Sequence, residues 1–164
     1  MKLYLIRHAI AADPTPEMTD EARPLTSEGV KKFRQTVAGL LKLKPRIDMI
    51  FSSPLVRARQ TAAILADKLE TTGEHAVLEI QTSLAPPARL DAFLSHLAKL
   101  EPDVSGVAAV GHEPAMSEWI GKICFDSPGR CHMKKGAIAA IDLDVASGKG
   151  ELLFLLEPGF LRRI

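Results

Sequence analysis

The feature that most constrains this chain is a run of four apolar residues that ends abruptly in two cationic side chains. Leu3-Tyr4-Leu5-Ile6 shows no polar alternation, which is typical of a strand covered on both faces, as in a parallel sheet. Arg7 and His8 follow at once. Ligands of open parallel α/β sheets collect at the carboxyl ends of the strands. The run therefore predicts a central first strand that delivers a guanidinium and an imidazole to a binding edge.

The order of strand, polar tip and helix recurs along the chain. The further predicted strands are 47–52, 77–80, 104–110, 137–143 and 151–157. A helical apolar period follows each of the first four strands, and the last two strands are predicted to form a hairpin. This alternation predicts a three-layer α/β/α sandwich with a mostly parallel central sheet and an antiparallel edge.

Length and composition limit the number of domains and the classes of partner. A chain of 164 residues, 46% hydrophobic and 25% charged, predicts a single domain over residues 1–164. The net charge of +1 gives no general attraction to nucleic acid or to membranes, so we expect neither as a partner. The sequence has no signal-peptide pattern and no run of 18 apolar residues, which predicts a cytoplasmic location. Cys124, Cys131 and His132 form only a weak, incomplete metal-ligand set.

Polar side chains follow the second and fourth predicted strands as well. Ser53 is predicted to cap the second helix, with Pro54 at its first position and Arg57 in its first turn. His112 follows the fourth strand. Arg23 precedes the first helix and is placed to fold over the same edge. The sequence therefore predicts that these side chains converge with Arg7 and His8.

Several cations and two imidazoles around a helix N-terminus favour a compact dianion such as phosphate. A neutral imidazole nitrogen is also a nucleophile, so His8 indicates phosphoryl transfer through a covalent intermediate rather than a bare anion site. In-line transfer spreads charge over three equatorial oxygens. The groups expected to neutralise that charge are Arg7, Arg23, Arg57 and a protonated His112. The sequence has no evident carboxylate cluster for Mg²⁺, so we expect no metal and no other cofactor.

Three segments resemble, in order and spacing, the histidine phosphatase (phosphoglycerate-mutase-like) superfamily. They are Leu5-Ile6-Arg7-His8, residues 52–62 and Val110-Gly111-His112. With Arg23-Pro24-Leu25-Thr26 and the short length, the chain is most similar to the SixA-type branch of small phosphohistidine phosphatases. The resemblance implies that His8 becomes phosphohistidine and that Arg7, Arg57 and His112 clamp the phosphate. Arg23 and Ser53 are predicted to bind the substrate as well.

Two departures from the family pattern bear on function. Ala9 stands where the family has glycine, which is tolerated if the backbone φ is negative. Larger relatives also supply an acid to the leaving oxygen, commonly from an insertion before the fourth strand, and the short stretch 81–103 offers no acid that we can assign. The missing acid agrees with a phosphoramidate substrate, because an imidazole leaving group accepts a proton more readily than an alkoxide does.

We therefore expect a metal-independent phosphatase that removes phosphate from phosphohistidine on a phosphotransfer protein, with a pocket open to a protein surface. Two alternatives remain. A phosphatase for a small phosphorylated metabolite would have a carboxylate acid and a lid at the pocket. A non-catalytic phosphoprotein-binding module would keep the anion pocket without turnover. The intact His8 argues against the module, whereas a defect caused by Ala9 would favour it.

Overall fold

A six-stranded sheet runs through the centre of the computed structural model, which describes residues 1–128 and 131–164. Its strands are β1 (Lys2–Arg7), β2 (Met49–Ser52), β3 (Val77–Ile80), β4 (Gly106–Gly111), β5 (Ile138–Asp144) and β6 (Lys149–Leu156). Their order across the sheet is β3-β2-β4-β1-β5-β6. The first four strands pair in parallel, and β5 and β6 pair antiparallel. The predicted mostly parallel sheet with an antiparallel edge is confirmed.

Helices cover both faces of this sheet. They are α1 (Ser27–Lys42), α2 (Val56–Glu70), α3 (Leu90–Leu97), α4 (Ala115–Phe125) and α5 (Pro158–Leu161). Buried residues of α1, α2 and α5 form one apolar cluster with the sheet, and those of α3 and α4 form the other. The predicted three-layer architecture is therefore confirmed. No helix in the described ranges is long and apolar enough to cross a bilayer.

Strand β1 is buried on both of its faces, which explains its unbroken apolar run. Tyr4 and Ile6 belong to the cluster under α1 and α2, whereas Leu3 and Leu5 belong to the cluster under α3 and α4. Toward the carboxyl end of β1, polar side chains therefore begin only where the buried apolar run stops, at Arg7 and His8.

Helix α2 begins later than the sequence predicted. Ser53 and Pro54 were expected at its N-cap and first turn, but the helix starts at Val56 with Leu55 as its N-cap residue. The backbone N–H of Ser53 donates to β4 at 3.0 Å, and its hydroxyl lies 2.8 Å from His112 Nε2. Because Ser53 still pairs with the sheet, it cannot begin the helix, and the capping prediction is wrong.

The short helix α5 lies against α1 through a close backbone approach. Leu161 is fully buried within the α1 cluster. A Cβ atom built at Gly39 would lie 1.8 Å from the carbonyl oxygen of Leu161. The absence of a side chain at residue 39 is therefore what allows α5 to reach α1.

We expect Gly39→Ala to lower the free energy of unfolding by about 1–3 kcal/mol, because the added methyl group forces the two backbones apart. Gly159→Ala in α5 is the matched control, since the nearest atoms to its Cβ are arginine side-chain nitrogens at 3.8 and 3.9 Å. Chemical denaturation measures both variants. Wild-type stability in Gly39→Ala would contradict the close approach.

Candidate active site

The pairing of β1 with β4 places two histidines side by side. The parallel register sets Arg7 opposite Gly111. The backbone N–H of His8 continues the pairing and donates to the carbonyl oxygen of Gly111 at 3.0 Å. His8 and His112 therefore leave neighbouring strands at the same edge, and their ring centroids are 5.1 Å apart.

The ring of His8 is a neutral imidazole with its Nε2 lone pair free. Nδ1 lies 2.8 Å from the carbonyl oxygen of Ala9, and since a carbonyl only accepts, Nδ1 carries the proton. Burial, with a smaller contribution from the positive charges of Arg57 and Arg7, lowers the pKa of His8 to about 3, against the opposing effect of the hydrogen bond to Ala9. At neutral pH Nε2 therefore has the electron pair that a nucleophile needs.

His112 is neutral as well in the free protein, whereas the sequence analysis expects a protonated ring during phosphoryl transfer. Burial and, to a smaller extent, the charge of Arg57 together lower the pKa of His112 to about 4, against the opposing charge of Asp20. The sequence predicts cations near His112, but it does not show that this residue is only 4% exposed. Ser53 is itself fully buried and holds Nε2 of His112 through its hydroxyl at 2.8 Å. A bound dianion would again favour the charged form of His112.

Two guanidinium groups belong to the same cluster, that of Arg57, which is buried, and that of Arg7, which is half-buried. Arg57 donates through Nη1 to the backbone oxygen of Asp20 at 2.6 Å and through Nη2 to its carboxylate at 2.9 Å. Arg7 donates through Nη1 to the carbonyl oxygen of Met133 at 2.7 Å. Within the described residues, the Nε atoms of both arginines and Nδ1 of His112 are buried without a hydrogen-bond partner. Phosphate oxygens are the kind of acceptor that would satisfy such donors.

Asp20 is a site residue that the sequence analysis missed. Its carboxylate accepts from Arg57 at 2.9 Å and from Arg23 Nη2 at 2.8 Å, so it joins two members of the predicted set. Burial would raise the pKa of Asp20, but the hydrogen bonds from Arg57 and Arg23 outweigh this and lower it. The available signal was the position of Asp20, three residues before Arg23. Arg23 is thereby brought to the site, as predicted from its place ahead of α1.

Ala9 fits the structure without a glycine. The non-glycine residues with positive φ in the described ranges are Lys44 and Asp126, so the backbone of Ala9 does not need the left-handed region. Its N–H donates to Thr61 Oγ1 at 3.0 Å, and Thr61 in turn donates to the carbonyl oxygen of Arg57 at 2.7 Å. The residue after the predicted nucleophile is thus tied to the helix that carries Arg57.

Glu113 is a second residue that the sequence analysis passed over, although it directly follows His112. Its carboxylate accepts from the backbone N–H groups of Ser117 at 3.2 Å and Met133 at 3.0 Å, and from the Ser117 hydroxyl. Burial lowers the pKa of Arg7, and the charge of Glu113 opposes that shift. Glu113 therefore braces the loop before β5 and offsets the charge of Arg7.

The stretch before β4 contributes apolar side chains at the border of the site. Pro86, Pro87 and Ala88 line a small cavity together with His112 and Glu113.

Among residues 1–128 and 131–164, no group of three or more His, Cys, Asp or Glu side chains is arranged to hold a metal, and this includes the weak cysteine-histidine set.

Parallel strands and the start of α2 bring two neutral imidazoles, a buried guanidinium group and a half-buried one to one edge of the sheet, which defines an α/β protein that handles phosphate. The chain belongs to the histidine phosphatase superfamily (branch 1), whose family model matches residues 3–85. It is therefore a hydrolase of phosphate compounds.

Relatives of known sequence and structure agree with this placement. The chain is 36% identical to an uncharacterized protein of Picosynechococcus sp. over 98% of its own length and 99% of the relative's. It is 28% identical to the phosphohistidine phosphatase SixA of Escherichia coli, covering 96% and 94% of the two chains. The solved structure of the protein histidine phosphatase SixA complexed with tungstate superposes with a TM-score of 0.86 at 26% identity, covering 98% and 99%. The predicted similarity to the SixA-type branch is confirmed.

Acid is expected to destabilise the protein partly through His8. Because its folded pKa of about 3 lies below the ordinary value of 6.5, the unfolded chain takes up the proton more readily. Stability is thus lost as the pH falls from 6.5 toward 3. Between about pH 7.5 and pH 5, His8→Gln should lose about 2 kcal/mol less unfolding free energy than wild type. Urea denaturation at both pH values measures this, and an equal loss in both proteins would show that the pKa is not lowered.

Asp20→Asn is expected to tighten the binding of inorganic phosphate by about 3- to 10-fold, because it removes a negative charge beside an anion site. The amide keeps an oxygen that can accept from Arg57, so the guanidinium stays oriented. Titration calorimetry with phosphate measures the change, and Asp13→Asn, in an exposed loop, is the control of equal charge. Weaker binding in Asp20→Asn would mean that Asp20 orients Arg57 rather than competes with phosphate.

Proposed function

We propose that this protein is a phosphohistidine phosphatase that transfers the phosphoryl group to its own His8 and then releases inorganic phosphate. The observation that carries the proposal is the state of the His8 ring: Nδ1 donates to Ala9, and Nε2 keeps its lone pair beside His112. The similarity to the phosphohistidine phosphatase SixA of Escherichia coli, over nearly the whole of both chains, supports the choice of substrate class.

In the first step, Nε2 of His8 attacks phosphorus in line with the phosphorus–nitrogen bond of the substrate. The bond to His8 forms while the bond to the substrate imidazole breaks, and the electron pair of that bond stays on the departing nitrogen. Arg7 and Arg57 face the equatorial oxygens with donors that stay charged throughout. Ser53 acts here as a positioning residue, because its buried hydroxyl fixes the ring of His112.

In the second step, water attacks the phosphorus of phosphorylated His8. The phosphorus–Nε2 bond breaks, phosphate leaves, and His8 returns to the neutral ring that Ala9 orients. His112, whose ring centroid lies 5.1 Å from that of His8, donates in this proposal to a phosphate oxygen through Nδ1, which has no partner among the described residues.

The carboxylates near the rings support a phosphorus–nitrogen bond as the target. Asp20 is held by Arg57 and Arg23, which lower its pKa, so at neutral pH it carries no proton to give. Glu113 is engaged by three donors. An alkoxide leaving group needs an acid, whereas the imidazole of phosphohistidine that already holds a proton on its other nitrogen leaves as a neutral ring. A protein-borne phosphohistidine is therefore the substrate that we propose.

His8→Ala is expected to reduce phosphate release from a phosphohistidine-bearing phosphotransfer domain by at least ~10³-fold, or about 4 kcal/mol of transition-state stabilisation. The assay is run without added metal, beside a panel of small phosphomonoesters. His75→Ala, which removes an exposed histidine outside the site, is the control. Peptide mass spectrometry of the quenched wild type should find the phosphate on His8.

Other outcomes of that assay identify the alternatives. Near-normal release by His8→Ala would exclude the covalent mechanism. Faster release from a phosphomonoester would move the assignment to a metabolite phosphatase. Phosphate binding without turnover of any compound would favour a phosphoprotein-binding module.

A further inference from the structure

A basic recess lies beside the candidate site, on the face of the sheet that carries α1 and α5. Its cationic lining residues are Arg7, Lys32, Lys134, Lys135 and Arg162. Its volume is about 330 Å³, and Phe33 and Pro158 give it apolar wall. None of its lining residues is an aspartate or a glutamate. Because the whole chain carries a net charge of only +1, this is a local concentration of positive charge.

Part of that charge is already paired and part is not. Lys32 contacts Glu28 at 2.5 Å, and Lys134 contacts Glu157 at 2.8 Å. These carboxylates lie outside the lining. In the described part of the chain, Lys135 and Arg162 have no carboxylate partner of their own. The recess therefore presents at least two unpaired cations beyond Arg7.

One wall of the recess is hydrogen-bonded to the backbone of the proposed nucleophile. The N–H of Gly136 donates to the carbonyl oxygens of both Arg7 and His8 at 3.1 Å. Gly136 has φ of +82°, a conformation that favours glycine, so Lys134 and Lys135 are held in a fixed turn next to the site. The other wall is α5, which lies against α1 at Gly39. Both walls are thus preformed.

We infer that this recess binds acidic side chains of the phosphoprotein substrate that lie close to its phosphohistidine. The inference rests on the proposed function and names the recognition chemistry of the substrate. Arg7 lines the recess and also belongs to the candidate phosphate site, so a chain whose phosphohistidine enters the site passes its neighbouring residues over Lys135 and Arg162. Carboxylates pair with these cations, while the methylene groups of glutamate contact the apolar wall.

The size of the recess is compatible with this occupant. At about 330 Å³ it is at the lower end of the ~300–1,000 Å³ range of ligand pockets. It therefore accepts a few side chains of an extended segment, and the body of the partner rests on the surface around it.

The test uses two synthetic peptides that carry one phosphohistidine and differ only in having Glu or Gln at the flanking positions. Wild type should hydrolyse the Glu peptide with about 10-fold higher kcat/KM, through a lower KM, and the preference should shrink between about 0.05 M and 0.5 M salt. Binding of the unphosphorylated Glu peptide, measured by fluorescence anisotropy, gives a readout that does not depend on turnover.

The test variant is Lys135→Glu/Arg162→Glu, and the matched control is Lys99→Glu/Lys122→Glu. The control changes the charge equally, at exposed lysines near α3 and α4 on the opposite face. The test variant should lose the Glu preference and the binding of the unphosphorylated peptide, with a smaller effect on hydrolysis of phosphoramidate. Lys135→Arg/Arg162→Lys should retain the preference. Circular dichroism confirms that each variant is folded.

Failure of the inference and failure of the proposed function give different results. Equal hydrolysis of both peptides by wild type, or equal losses in test and control variants, would overturn the recess as an acidic-segment site and leave the phosphatase activity standing. Binding of the unphosphorylated Glu peptide that Lys135→Glu/Arg162→Glu abolishes, without hydrolysis of either phosphopeptide, would support acidic-segment binding and overturn the activity. Tighter binding of an oligonucleotide of equal charge than of the Glu peptide would also overturn the inference.

Discussion

The parallel register between β1 and β4 is the constraint on which the candidate site depends. A backbone hydrogen bond from His8 to Gly111 extends the β1–β4 ladder, and one from Ser53 to Val110 extends the β2–β4 ladder, both at 3.0 Å, to the residues that carry the polar groups. A slip of one residue would turn the side chains of β1 to opposite faces. The relative positions of the two histidines are therefore set by the sheet. This gives the site the rigidity of a strand pairing rather than that of a loop.

The cations at this buried edge of the sheet act both on the protonation of the two histidines and on the binding of phosphate. Desolvation and the nearby guanidinium charges keep both imidazoles neutral, with pKa values of about 3 and 4. The same charges attract a phosphate dianion. Once bound, the dianion would raise the pKa of His112 and favour its protonated form. Asp20 supplies a counter-charge to Arg57 in the free protein. The proposed nucleophile is thus unprotonated before the substrate arrives, and no base is needed to activate it.

The sequence predicted what depends on local pattern and missed what depends on distant contacts. The unbroken apolar run of β1 and the closing hairpin follow from residue periodicity, and the structure confirms both. Ser53 looked like a helix cap because its partner, His112, lies 59 residues away. Asp20 was missed because Arg57, its partner, lies 37 residues further on. The neutral state of His112 could not be read from neighbouring cations alone, since burial is a property of the folded chain.

The same separation explains why the basic recess has no sequence signal. Lys32 lies on α1, Lys135 precedes β5 and Arg162 follows α5, so no short segment shows a cluster of positive charge. Only the hydrogen bonds of Gly136 and the close approach at Gly39 bring these residues to one face.

Under the proposed function, the candidate site and the basic recess contribute to specificity in different ways. At the two histidine rings, the described residues offer no free acid, so the proposed enzyme discriminates by leaving group. An imidazole that holds a proton on its other nitrogen departs as a neutral ring, whereas an alkoxide needs an acid. That selection cannot distinguish one phosphohistidine protein from another, since the reacting atoms are the same in all of them. In the proposed complex the recess contacts substrate residues that take no part in bond breaking, so its interactions are equally strong in the bound substrate and in the transition state. Such uniform binding lowers KM without raising kcat. Choice of chemistry and choice of partner are therefore separable properties of this fold.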